Sequence, residues 1–165
     1  MKYGHFESFE AFIESYKAGI RNEDTLATEG RGTDFSIRRK RDTRSRDVVE
    51  VAADITENLG TESQGAKHQH LIIRVTEVIK NDPDVAADIK RTQDMNERVF
   101  LSIRYGDRMG LPNPVPGVRV GLELKLRGEW IPKEKAYAHR GEQMSVLHFT
   151  HDPIGFVCTP EQCFS

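Results

Sequence analysis

The sequence predicts an α+β domain that is mainly β: a five-stranded Greek-key barrel with an N-terminal amphipathic helix. Three observations predict it. Five segments between residues 47 and 150 read as strands with one buried face, the first and fourth with the clearest alternation of apolar and polar side chains. One segment, residues 5–20, has apolar spacings of three and four instead, the period of a helix. Residues 109–118 hold three prolines and two glycines, an irregular connector between the third and fourth strands. Five half-apolar strands in an open sheet would leave hydrogen-bonding edges exposed, and closure removes them.

The elements follow in order. On the helix, Phe6, Phe9, Phe12, Ile13, Tyr16 and Ile20 share one face, with Ser8 as N-cap and Gly19 at its stop. That face either covers the barrel or docks a protein partner or second copy through Phe6, Phe9 and Phe12. Turn-like residues follow, then a basic run in which six of the nine residues from Arg38 to Arg46 are Lys or Arg. Arg38, Arg39, Lys40 and Arg41 open it; it reads as a phosphate-contacting arm or as a solvated linker. The division expected is 1–46 for helix and basic linker, and 47–165 for barrel and tail.

In the first strand Val49, Val51, Ala53 and Ile55 alternate with polar or small residues. In the second, residues 68–79, Leu71, Ile73 and Val75 face inward, with His68, His70, Ile72 and Arg74 opposite. Residues 84–91 read as a short helix after the Asp82-Pro83 turn. The third strand, 98–105, turns Val99, Leu101, Ile103 and Tyr105 inward and Phe100, Ser102 and Arg104 outward. The fourth, 120–130, alternates Leu122, Leu124 and Leu126 with charged residues. A polar loop at 132–141 leads to the fifth strand, 143–150, and to a tail without clear period.

This order of strands and connector resembles an OB-fold, the five-stranded Greek-key barrel, with an SH3-like or other small barrel and a sandwich as the alternatives. In that topology the spatial order is 1-2-3-5-4-1. The start of the second strand then lies beside the ends of the third and fifth. One rim is thus expected to gather His68 and His70, Arg104 and Asp107, and His148, His151 and Asp152.

Residues 58–154 also resemble an uncharacterised bacterial family with an OB-like domain. Its pattern is a His-Gln-x-Phe segment and a closing His-Trp-Thr-His-His-Asp-Pro segment. The matching residues are His68-Gln69-His70-Leu71 and His148-Phe149-Thr150-His151-Asp152-Pro153. Gly128-Glu129-Trp130 is similar to the family's Gly-Glu-Tyr-Glu-Trp. The chain departs from the pattern by one fewer His before Asp152, by an insertion at 81–97 and by its N-terminal segment. The family supplies no activity, so the resemblance singles out residues rather than a reaction.

Three readings of the rim stand. His68, His70, His148, His151 and Asp152 offer the nitrogen and carboxylate ligands of a Zn or Mn site that would activate water for hydrolysis. Without metal, His148 or His151 would act as general base with Asp152 orienting its ring. Otherwise the histidines and Gln69 hydrogen-bond neighbouring groups and close the barrel end. His5 and His139 read as surface residues.

A net charge of −2 rules out whole-molecule attraction to polyanions, so nucleic-acid contact has to rest on local charge. No apolar run is long enough for a membrane helix, and the first residues lack a signal-peptide core, which points to a cytoplasmic protein. There Cys158 and Cys163 are expected as free thiols. A zinc site shared with His148 and His151 is the variant reading, and a disulfide the least expected state. The function expected is binding of single-stranded nucleic acid or another anionic ligand. Arg74, Phe100 and Arg104 would make the contact, Phe100 as an exposed stacking platform. The alternatives are a metal-dependent hydrolase, such as a nuclease, at the rim, and a protein-interaction module through the helix.

Overall fold

All five expected strands form. The computed structural model describes residues 47–62, 66–152 and 154–165; the expected helix at 5–20 and the basic run at 38–46 lie outside them. The strands are β1 (Val48–Glu62), β2 (Lys67–Lys80), β3 (Val99–Tyr105), β4 (Glu123–Ile131) and β5 (Ser145–His148). They hydrogen-bond in the order β1-β2-β3-β5-β4, and β4 pairs back onto β1. The barrel is therefore closed, in the expected spatial order. β3 and β5 are its one parallel pair, and the other pairings are antiparallel. β1 serves two partners because several register shifts coil it along its length.

The inward faces supply the core. Val49, Val51, Leu71, Leu101, Leu124 and Trp130 are all fully buried within one cluster. The ends are closed differently. After β2 the chain forms α1 (Ala86–Asp94), whose Ile89 and preceding Val85 enter the core cluster. Asp88 of α1 accepts hydrogen bonds from Trp130 Nε1 at 2.8 Å, Ser145 Oγ at 2.7 Å and Arg91 at 2.6 Å. At the opposite end the proline-rich connector folds inward and buries Leu111 and Val115. The Gln69 side-chain amide donates to the Val115 carbonyl at 3.1 Å and accepts from its N–H at 2.9 Å. One inward amide thus satisfies a connector that has no strand partner there.

The tail is not irregular. β6 (Phe156–Cys158) pairs with β4 beside β5, and β7 (Cys163–Phe164) pairs with β6. This hairpin corrects the expectation of free thiols: Cys158 and Cys163 form a disulfide. The thiol reading rested on a reducing compartment. The antiparallel register instead sets the two residues directly opposite, with Cα atoms 3.9 Å apart. The bond holds Phe164, 5% exposed, against the core. For so short a loop, chain entropy gives a stabilisation of about 2 kcal/mol. Urea unfolding with and without dithiothreitol is expected to show that difference; coincident curves would mean that the bond does not form in solution. No described helix is long and apolar enough to cross a membrane.

Candidate functional site

The outer face of β2 and β3 carries a column of rings. Strand parity places His68, His70 and Phe100 there, on the side away from Leu71 and Leu101. His68 and His70 stack at 5.9 Å, and His70 meets Phe100 at 4.7 Å. The β4–β5 loop completes the column. Its His139 exchanges backbone hydrogen bonds with Glu142, at 2.8 and 3.0 Å, around Arg140 and Gly141. Both turn residues have positive φ, 52° and 79°, the geometry of a two-residue hairpin turn. This lays the His139 ring parallel on Phe100, 3.8 Å away with a 4° interplanar angle. His139 is therefore not a bare surface residue, and Phe100, 4% exposed, is not an open platform. The open Phe100 platform failed because sequence spacing does not reveal which strand face a loop returns to.

Beside this stack lies a cleft of about 210 Å³. Ile72, Phe100 and Met144 form apolar walls, His139 and Arg140 come from the loop, and Arg98 stands at the head of β3. Arg98 donates to Glu57 Oε2 at 2.6 Å and to Glu142 Oε2. Burial pushes the His139 imidazole below its ordinary value, with Glu62 opposing. His70 is likewise pushed down by burial against the opposing pull of Glu62, which lies 3.7 Å away. Both rings are held toward the neutral form, which suits stacking rather than phosphate pairing.

The other arginines of this face have partners. Arg74 lies 3.7 Å from Asp54. Arg104 donates twice to Asp107, at 2.8 and 2.5 Å, and with two backbone N–H groups this holds the Asp107 carboxyl down to about 2. Arg140 makes no ion pair among the described residues. The sequence reading missed Arg98, Glu57, Glu142 and Arg140. The adjacent Arg140-Gly141 turn pair was the available signal for the loop hairpin.

The histidine pairs do share one end of the barrel: His68 lies opposite Arg104, and Thr150 Oγ1 reaches the Ser102 carbonyl at 3.5 Å. They do not share a ligand sphere. β3 separates β2 from β5, which sets the two histidine strands about 10 Å apart. Phe149, at φ 52°, ends β5 early and turns the chain away. His148 stays on β5, its Nε2 3.2 Å from Glu129 across the strand pair. His151 is buried, and its Nδ1–H donates to the Asp152 backbone carbonyl at 2.9 Å. Its Nε2 has no partner among the described residues, and burial pushes its imidazole below the ordinary value. So the acid beside His148 is Glu129, and the oxygen on His151 is a main-chain one. Among the described residues, a set of three ligand-type side chains whose atoms all lie within 4.8 Å of one another is formed by Asp47, Asp82 and Asp84, and by none of the rim set. The expected five-residue metal site is not assembled.

Comparison with protein-family models gave no match, and neither did comparison with curated proteins or with solved structures.

Proposed function

We propose that this chain is an OB-like binding module for single-stranded nucleic acid and that the cleft above β2 and β3 takes a base. One observation carries the reading: the cleft lies on the outer face of β2–β3 beneath the β4–β5 loop. OB barrels use that face and that loop for oligonucleotides and oligosaccharides. A volume of about 210 Å³ is below the ~300–1,000 Å³ that encloses a drug-sized ligand, so the cleft suits one planar group of a longer chain. Its apolar and aromatic walls accept a base π-face without regard to sequence. Arg140 supports the phosphate contact that Arg74 and Arg104, facing carboxylates, are poorly placed to make. The basic residues Arg38, Arg39, Lys40 and Arg41 extend that contact in this reading, and the cytoplasm remains its proposed compartment.

The test is binding of labelled oligonucleotides over a salt series. Wild-type affinity is expected to fall steeply with salt as counterions are reabsorbed. Arg140→Asn keeps a residue that tolerates positive φ. It is expected to weaken all sequences alike and to reduce the salt slope by about 0.7, the single-strand value for one phosphate contact. An absence of binding at low salt would sink the reading.

A further inference from the structure

From the hydrogen-bond inventory of the cleft we infer that it selects bases presenting amino-group donors, guanine above all, over thymine or uracil. The inference rests on the single-strand reading above. Arg98 is engaged twice: one guanidinium nitrogen binds Glu57 and the other binds Glu142, each through Oε2. The two carboxylates come from separate parts of the chain, β1 and the β4–β5 loop, and both line the cleft. Neither Oε1 has a hydrogen-bond partner among the described residues. Two carboxylates on one guanidinium leave that wall of the cleft rich in acceptors; Leu59, Ile72, Phe100 and Met144 line the rest, with His139 and Arg140 on the loop side.

A base edge entering there has to bring donors. Guanine carries adjacent N1–H and N2–H groups, a match for carboxylate oxygens. Cytosine and adenine each bring an exocyclic amino group, which carboxylates accept from. Thymine and uracil flank their single N–H with two carbonyl oxygens, which a carboxylate repels. Arg140, at the cleft edge, is left for the phosphate and need not read the base.

The test uses labelled oligo-dT strands with one central dG or one central deoxyinosine, which lacks the N2 amino group, against all-dT. The dG strand is expected to bind about fivefold tighter than all-dT, at the low end for a paired contact because both carboxylates are about half exposed. Deoxyinosine is expected to lose most of that gain. The Glu57→Gln/Glu142→Gln double variant is expected to bind all three strands alike. These ion pairs are exposed enough that their loss leaves the fold intact, checked by thermal melting. Equal affinity of the wild type for the three strands overturns the selection and leaves the single-strand reading standing. A preference retained by the double variant also overturns it. Failure of every strand to bind removes both.

Discussion

Asp88→Ala is expected to destabilise the protein by about 3 kcal/mol, because it strands buried donors rather than removing one contact. Asp88 is 9% exposed at its side chain and joins three elements: α1 itself, β4 through Trp130 and β5 through Ser145. With the carboxylate gone, the Trp130 N–H lies inside the core without an acceptor, and Ser145 loses its own. The expected fall in melting temperature is about 10 °C. Asp88→Asn separates charge from shape, since it keeps one oxygen. Burial alone would raise the Asp88 pKa, but hydrogen bonds from Ser145, Trp130 and Arg91 together hold it below its ordinary value. A depressed carboxyl pKa stabilises the fold above the unfolded value, about pH 4, and that part is lost as pH falls through the folded value. Acid unfolding of the wild type should therefore include a limb below about pH 4 that Asp88→Asn lacks. Alanine at position 88 melting with the wild type would show that the helix does not seal the barrel through this carboxylate.

Gly155→Ala is the second large effect, expected at about 3 kcal/mol and purely steric. An added Cβ would run into the Arg127 and Phe149 carbonyl oxygens, and backbone cannot swing aside as a side chain does. Gly155 lies where the tail crosses β4. Its N–H donates to the His151 carbonyl at 2.8 Å. Arg127, bonded to the Ile154 carbonyl at 3.0 Å and to Glu50 at 2.8 Å, fastens the same crossing. Gly60 is the control: it has positive φ but open space around it, so alanine there is expected to cost about 1 kcal/mol. Chemical denaturation of the two variants separates close packing from backbone conformation. Equal losses at both sites would contradict the steric account.

Much of the barrel was legible in the chain. Val49, Leu71, Leu101 and Leu124 announce the inward faces because burial on one side of a pleated strand writes itself into alternate positions. Strand ends were less legible. β1 runs on to Glu62 through polar residues paired across to β2, and β5 stops at His148 where Phe149 turns the chain. The tail carries too few residues per strand to show a period, so the β6–β7 hairpin and its disulfide stayed hidden. At the site, the strand face bearing His68, His70, Phe100 and Arg104 was read from parity alone. The partners of those residues were not.

The sequence by itself thus determined which side chains each strand turns inward or outward, and it favoured closing the five strands over leaving an open sheet. Those are consequences of local period and of the need to satisfy sheet edges. Only the tertiary structure decided what the outward face became: His139 laid on Phe100, Arg98 held between two glutamates, and the rim histidines kept apart by β3. These depend on where a loop returns, which is set by the backbone at Arg140, Gly141 and Phe149 and by contacts between residues far apart in the chain. No local pattern records such returns, so the site could be located from the sequence but not assembled from it.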